Sequence, residues 1–338
     1  MQFSKKELNE ILASHSKWLR GEKGGKKADL RGLDLQYANL SGADLRKADL
    51  HDAILNGANL SNADLRGANL EWENLTNANL SNADLRNADL QNAILNGANL
   101  SNANLQGANL EWVKLRNANL RGANLERGNL INANLSNADL RNANLQNAIL
   151  NGANLFNANL RGANLEWVKL RNANLRDALI NNTNLAYAEL HEADLYNANL
   201  LGANLYCSSL YKANLSYTNL RKANLQKADL QNANLQEALL INAKLCEAYL
   251  QGADLSNTNL HRADMQKANL QSANLYNASL CFANLQRANL QKANLHNANL
   301  HGANFQNADL QEAVLQKANL HNANLQDAVL QEDEELPY

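Results

Sequence analysis

Hydrophobic residues return every five positions along most of the chain. Between Leu30 and Leu330 there are 61 positions at multiples of five, and 58 of them hold leucine. Alanine usually stands two residues before each leucine, with Asn or Asp between them. The other two positions are polar and variable, as in RG, SN and QK, and no insertion or deletion shifts the register. This period is neither the 3.6 of a helix nor the 2 of a strand.

The pattern predicts one interior surface made of alanine and leucine. Residues two apart in an extended segment point to the same side, so Ala and Leu face inward and the Asn or Asp between them faces outward. The two variable residues then turn a corner. Equal sides and equal corners close into a coil, and stacked coils pair their amides and bury a leucine column. We therefore expect an all-β solenoid, although Ala, Asn and Asp are poor strand formers.

The run ANLSNADLRGANL closely resembles the pentapeptide-repeat family, whose unit is A(D/N)LXX. The resemblance covers residues 26–332 and implies a right-handed quadrilateral β-helix with four pentapeptides per coil. On that geometry the 61 units make about 15 coils. Periodicity alone does not fix the number of sides, so this step depends on the resemblance.

Two long stretches of the repeat are almost identical in sequence. Residues 81–120 and 136–175 differ at three positions, and the second copy lies 55 residues (136 − 81) after the first. With four pentapeptides per coil, that offset rotates the copy by one side. Trp72 and Trp112 are then predicted to share a side, and Trp167 to lie on a neighbouring one. A duplication that changes sides indicates lengthening of the rod rather than multiplication of a binding face.

A short helix is predicted to cap the beginning of the solenoid, because an open coil end must be covered. Residues 1–25 form this capping helix and its turn, with Ser4 and Glu7 as a capping box. Trp18 is expected to pack on the first coil, where Leu33 replaces the usual alanine. The apolar side of the helix consists of Leu8, Ile11, Leu12 and Leu19.

The other end offers little to cover the last coil. Residues 333–338 form a short acidic tail that prefers to be solvated. An uncovered coil edge invites pairing with another chain. End-to-end homodimerisation through the C-terminal coil is therefore a hypothesis.

Composition narrows the functional class. The net charge is −2 and charged residues make up 19%, which argues against non-specific nucleic-acid binding. We find no apolar run long enough for a membrane span and no signal-peptide core near the start. The three cysteines are odd in number and scattered, which suggests free thiols in a reducing compartment. These features together predict a cytoplasmic protein without cofactor.

Outward aromatic side chains are the candidate anchors for a partner. The competing interpretation is that isolated surface aromatics are ordinary and shield the edges of the ladder. The candidates, on an otherwise Asn- and Gln-rich surface, are Trp167, Tyr187, Tyr206, Tyr211, Trp72 and Trp112.

Two columns of residues twenty apart are candidate binding sites. A His and Cys column could hold a metal, but a polar outer column without a supporting shell is favoured; it comprises His261, Cys281, His301 and His321. A basic stripe could follow a phosphate backbone, but salt-bridging with the parallel Asp44, Asp64 and Asp84 is favoured. That stripe consists of Lys26, Lys27, Arg46, Lys47, Arg66 and Arg86.

Glu73 is the one acid at an inward position, where Val113 and Ala93 stand in other coils. A buried carboxylate should have a raised pKa or distort the coil, and an escape to the surface is the alternative. No second acid or histidine converges on it. Motifs for nucleophilic, phosphate-binding or zinc-protease chemistry are absent from the sequence, so we do not expect an enzyme.

The sequence thus predicts a non-catalytic rod that acts as a protein–protein interaction or scaffold module through an unknown partner. The family resemblance also implies an alternative, because the family includes DNA mimics that bind DNA gyrase. Such mimicry needs a strongly acidic surface, whereas this chain is near neutral. Modulation of gyrase is therefore the second hypothesis.

Overall fold

The computed structural model describes residues 5–331 and divides into two compact units, Met1–Lys169 and Leu170–Tyr338. One α-helix, α1, spans Lys5–Leu19. Elsewhere in the described chain the regular pairing consists of isolated parallel bridges, one for each side of a coil, rather than of extended strands. The predicted domain limits at residues 25 and 332 stay predictions.

Bridged residues lie twenty positions apart in both units. In the first unit Ile54 pairs with Asn74, and Asn74 pairs with Ile94. In the second unit Asn234 pairs with Asp254 in the same parallel sense. Because twenty residues are four pentapeptides, each coil has four sides, as the family resemblance implied.

A single pentapeptide shows why this arrangement satisfies the backbone. In residues 76–80 the five N–H groups find five different acceptors. The first donates to the Asn74 side chain at 3.1 Å, and the third closes a turn on the Leu75 carbonyl at 2.9 Å. The second, fourth and fifth donate to carbonyls of neighbouring coils at distances of 2.7–3.0 Å, those of Asn96, Ala58 and Asn99. No backbone N–H of the unit is left for water.

The outward Asn or Asp is therefore a structural residue, which the sequence analysis did not foresee. Its side-chain oxygen accepts the N–H two residues later, which begins the corner. Asn side chains one coil apart also bond to each other. Asn79 donates to Asn59, and Asn99 donates to Asn79, each at 3.2 Å. These amide ladders run along the outside of the coils.

The corners require a left-handed backbone at their second residue. In the turn from Leu75 to Ala78, Asn77 has φ 57°, which with the i to i+3 hydrogen bond is typical of a type II turn. Gly97 takes the same place one coil later with φ 68°. There a side chain would collide with the Asn77 amide oxygen, so glycine gives room as well as conformational freedom.

The interior consists of the alanine and leucine positions, as predicted. Their side chains are almost fully buried from Ala28 to Leu315 with few exceptions. The three replacements for leucine, Ile180, Met265 and Phe305, are buried in the same way. Each coil therefore contributes the same close-packed layer, and the hydrophobic free energy grows with the number of layers.

Helix α1 is attached to the first coils through a histidine that the sequence analysis overlooked. His15 is fully buried and lies among the predicted apolar positions of the helix. Its Nδ1 accepts the Ala28 N–H at 3.0 Å, so its Nε2 carries the proton and donates to the Arg46 carbonyl at 3.0 Å. Burial lowers the pKa of this imidazole, which keeps it neutral.

Trp18 stacks on the His15 ring, with centroids 5.5 Å apart, and about a third of it stays exposed. The expected packing against Leu33 stays a prediction, and Leu33 itself is only half-buried. The predicted capping residue Ser4 lies outside the described residues.

Glu73 is buried in the core, so the alternative of an escape to the surface is wrong. Its side chain is fully buried, and neither carboxyl oxygen has a hydrogen-bond partner. Burial raises the pKa of Glu73 to about 8, and the charges of Asp52 and Asp49 act in the same direction, against the nearby backbone amides. The carboxyl is consequently neutral at pH 7. Its backbone keeps the coil pattern, since Ile94 N–H donates to the Glu73 carbonyl at 2.7 Å.

Acidification should loosen the attachment of α1. The folded-state pKa of His15 lies below its ordinary value of 6.5, so its contribution to stability is complete above that pH and is lost as the pH falls below it. Amide exchange of α1 and of Ala28, corrected for the intrinsic rate, should accelerate below about pH 6.5. His15→Gln is the control, in which this acceleration is expected to vanish. If the corrected exchange rates of the wild type did not change with pH, the role of His15 would be contradicted.

Replacing Glu73 by Ala, the residue of the next coil, should raise the free energy of unfolding by about 3 kcal/mol near pH 8. The folded-state pKa of about 8 exceeds the ordinary 4.5, so the contribution of Glu73 to stability is most favourable below pH 4.5 and is lost as the pH rises to about 8. The free energies of unfolding of the two proteins, measured in urea, should differ by an amount that grows over this pH interval. Glu111→Gln is the surface control. An equal difference in the free energy of unfolding at pH 4.5 and at pH 8 would refute the ionisation of a buried Glu73.

Candidate interaction surface

The second residue of a corner carries the largest exposed side chains of the chain. The tryptophans predicted as anchors stand there, with φ values of 63°, 57° and 59°. Their exposed fractions are 57%, 51% and 50%; they are Trp72, Trp112 and Trp167. A bulky residue rarely adopts positive φ, and Asn, Gly or Lys takes this place in most coils.

Trp72 and Trp112 lie on one corner of the first unit, two coil steps apart, as predicted. The bridges from Asn74 to Ile94 and from Ile94 to Lys114 begin directly after this corner. The Trp72 indole N–H donates to the Glu71 carboxylate at 3.1 Å. An equivalent glutamate, Glu111, precedes Trp112.

The predicted tyrosines belong to the second unit, whereas Trp167 belongs to the first. Tyr187 and Tyr206 meet edge to face, with centroids 5.7 Å apart. Tyr211 contacts the His191 ring at 6.4 Å, and the Lys212 ammonium lies 5.2 Å from its centroid. All three tyrosines are half-buried. They form aromatic pairs rather than isolated surface rings.

A further pair lies in the same coils. Tyr196 and Tyr217 have centroids 5.4 Å apart. The Arg176 guanidinium lies 4.6 Å from the Tyr196 centroid and also contacts Asp194 at 3.3 Å. Aromatic pairs in the second unit are thus bordered by both cations and carboxylates.

The His and Cys column is an aromatic stack rather than a cluster of ligands. Phe282 contacts His261 at 5.8 Å and His301 at 5.2 Å, both edge to face. The His301 and His321 rings stack at 5.3 Å. Across residues 5–331 no group of three or more His, Cys, Asp or Glu side chains is arranged to hold a metal. Cys281, like the other two cysteines, is not in a disulfide.

Several exposed aromatics escaped the sequence analysis. They occupy the corner or the outward position of their pentapeptide, where nothing but their size distinguishes them. A scan of the two corner positions and the outward position for large apolar residues would have found them. The exposed set consists of Tyr37, Phe156, Tyr249, Tyr276 and Phe282.

The arginines of the basic stripe pair with the parallel acids, as the favoured interpretation predicted, whereas Lys26, Lys27 and Lys47 are not part of this ladder. Arg46 contacts Asp44 at 2.7 Å and Asp64 at 3.5 Å. Arg66 repeats this with Asp64 at 2.6 Å and Asp84 at 3.5 Å. The arginine hydrogen bonds lower the pKa of Asp44 and of Asp84. This ladder of ion pairs offers few unmatched cations to a phosphate backbone.

No helix of the described chain has the length and apolar character needed to cross a membrane. A comparison with curated proteins finds no match.

Solved structures similar to this chain are themselves pentapeptide repeat proteins. HetL, which is involved in heterocyst differentiation regulation in the cyanobacterium Nostoc sp. strain PCC 7120, is 32% identical over 73% of this chain and 90% of its own, with a TM-score of 0.32. A protein of the Arabidopsis thaliana thylakoid lumen is 38% identical over 33% of this chain and 71% of its own, with a TM-score of 0.25.

QnrB1, a plasmid-mediated fluoroquinolone resistance protein, is 16% identical over 51% of this chain and 85% of its own, with a TM-score of 0.28. At these TM-scores the superpositions support no detail of shape. The model of the pentapeptide repeat family, by contrast, matches overlapping stretches that together cover residues 26–331. Together with the five-residue sequence repeat and the β-bridges between residues twenty positions apart, this match shows that the chain belongs to the pentapeptide repeat family.

Proposed function

We propose that this protein is a non-catalytic interaction module that binds a protein partner through aromatic side chains on its corners. One observation carries the proposal: Trp72, Trp112 and Trp167 stand exposed at corner positions with positive φ. A coil does not need a large side chain there, since Asn77 and Gly97 form the same turn. Positive φ recurs at the second residue of corners throughout the described coils, and it costs a residue with a large side chain on the order of 1 kcal/mol that Gly does not pay.

The tyrosine pairs of the second unit support the same function. Tyr187, Tyr206 and Tyr211 are half-buried rings with polar tips on a surface that also carries charged side chains. Tyrosine and tryptophan are the residues that most often dominate the affinity of protein interfaces. Arg176 and Lys212, which lie against tyrosine rings, would add charged contacts at the rim.

The cavities support a non-enzymatic role. One of about 550 Å³ is lined by Arg31, Leu33 and neighbouring residues and contains His51, whose Nε2 lies 3.5 Å from Asp52. The described residues around it include no Ser, Thr or Cys that this pair could activate. A second, of about 390 Å³, is lined by Leu201, Arg221, Lys222, Ile241 and Asn242 and includes neither an acid nor a histidine.

The finer architecture and the location are part of the proposal. The twenty-residue bridging supports a quadrilateral β-helix, and we take its right-handed sense from the family resemblance. Three cysteines without disulfides are consistent with a cytoplasmic protein that needs no cofactor. The charge-balanced ladder around Arg46 and Arg66 and the net charge of −2 support a protein partner over mimicry of DNA towards gyrase.

The C-terminal coil supports self-association as a second mode of binding. Within the described chain the bridges end with the pair Asp309 and Val329. Leu320, Leu325 and Leu330 are only half-buried, unlike the leucines of inner coils. A second copy placed end to end would bury these leucines and satisfy the last row of backbone N–H groups.

Affinity capture from the native cytosol tests the interaction function. The baits are the wild type, a tryptophan variant and a tyrosine variant, in which each aromatic is replaced by the Asn or Gln that other coils carry: W72N/W112N/W167N and Y187N/Y206Q/Y211Q. We expect a partner protein retained by the wild type and lost from at least one variant with an unchanged melting curve. Identical captures by all three baits would refute the aromatic corners as anchors.

Sedimentation equilibrium tests the end-to-end contact. The wild type should form a concentration-dependent dimer, and Leu325→Asp should shift it to monomer because a buried carboxylate at the contact is unfavourable. Leu201→Asp, a surface substitution in an inner coil, is the control and should dimerise like the wild type. A wild type that stays monomeric at high micromolar concentration would contradict the proposal.

A further inference from the structure

The corner that carries Trp72 and Trp112 has the composition of a peptide-binding strip. Two exposed indoles stand on it, each preceded by a glutamate, and we call this set of Glu71, Trp72, Glu111 and Trp112 the tryptophan corner. Ile94, half-buried on the adjoining side, is bridged to Asn74 and to Lys114, which stand two residues after the tryptophans. The strip therefore has two indoles, with the polar Gln91 and Asn92 between them, Ile94 beside them and glutamates along one edge.

The backbone spacing of the two tryptophans is fixed by the coils. Parallel bridges separate neighbouring coils by about 4.8 Å, so two steps place Trp72 and Trp112 about 9.6 Å apart along the corner. Asn92 occupies the intervening coil. Because every coil repeats the same hydrogen bonds, this spacing does not depend on the conformation of the side chains.

One type of extended peptide matches this spacing. A polyproline II helix has three residues per turn and rises 3.1 Å per residue, so positions i and i+3 share an edge about 9.3 Å apart. A β-strand repeats its side every 6.6–6.8 Å, roughly, and an α-helix every 5.4 Å, roughly. Proline rings at i and i+3 would each meet one indole, as in the aromatic grooves that bind proline-rich segments.

The local charge selects a basic peptide. Glu71 and Glu111 border the indoles, and Asp52 and Asp89 lie one coil away from them on or next to the same corner. The exposed Lys114, on the side that follows Trp112, is the opposing cation, and these four carboxylates outnumber it. Arg31, in an earlier coil of that corner, is already engaged with Asp29 at 2.7 Å. Lysine or arginine side chains of a ligand would pair with the glutamates and lie against the indole faces.

We propose that the tryptophan corner binds a basic, proline-rich segment of a partner protein in the polyproline II conformation. Prolines at i and i+3 occupy Trp72 and Trp112, and arginines or lysines between them reach Glu71 and Glu111. This inference rests on the proposed interaction function and specifies the class of partner for one of its surfaces.

Calorimetric titration with the synthetic peptide (Pro-Pro-Arg)4 tests the inference. The wild type should bind it, and binding should weaken about tenfold or more both for the flexible (Gly-Gly-Arg)4 and for the acidic (Pro-Pro-Glu)4. Equal binding of the glycine peptide, or no binding of the proline peptide, would overturn the proposal.

The spacing is tested by moving one tryptophan along its corner. W112N removes it, W112N/N92W places the pair one step apart, and W112N/N132W places them three steps apart. Each should bind (Pro-Pro-Arg)4 about tenfold more weakly than the wild type. F156S, which restores the residue found at the matching Ser101 of the 81–120 copy, should bind like the wild type. Because Trp and Asn already alternate on this corner, circular dichroism should show all four variants folded. Full affinity in either shifted variant would refute the matched spacing.

Failure of this inference is distinguishable from failure of the proposed function. If the proline peptide does not bind but capture of a cytosolic partner depends on Trp72 and Trp112, the partner class is wrong and the interaction function stands. If capture is also insensitive to every aromatic substitution, both are wrong. Loss of both activities in W112N would support the two together.

Discussion

The hydrogen bond between residues one coil apart is the constraint on which this structure depends. Within a pentapeptide such as 76–80, three N–H groups donate to neighbouring coils, one closes the corner, and one requires the side chain of the preceding Asn. No donor is spare, so an added or missing residue would displace every later pairing. This accounting explains why the register holds for 61 units and why Asn or Asp usually stands between Ala and Leu.

The same constraint decides where function can reside. Ala and Leu fill the core, and Asn holds the corner, which leaves the two corner residues free to vary. The second of these must accept positive φ, a condition that suits Asn and Gly and opposes aromatic residues. Trp72 and Trp112 therefore depart from the local preference, as do other aromatic residues at this position, such as Tyr37 and Phe282. Local choices that disagree with a fold tend to mark functional positions.

Sequence reasoning predicted the inward alanine and leucine columns and the inward position of Glu73, because these follow from a period-two geometry. It took the four-sided coil from resemblance, since no spacing within one pentapeptide encodes the closure. It missed His15, whose role depends on the Ala28 amide and the Arg46 carbonyl, groups of later coils that no sequence pattern reveals. It named Tyr187 and Tyr206 among the outward aromatics, but it did not predict the edge-to-face contact of their rings, because the orientation of side chains requires coordinates.

The central claim is that the corner aromatics are present for binding and not for stability. It is tested most directly by the free energy of unfolding of W72N/W112N compared with that of the wild type, measured in urea at one pH. Asn fits the left-handed corner and Trp is strained there, so the variant should be at least as stable as the wild type. A loss of about 1 kcal/mol or more would show that the indoles stabilise the coils, and would contradict the account.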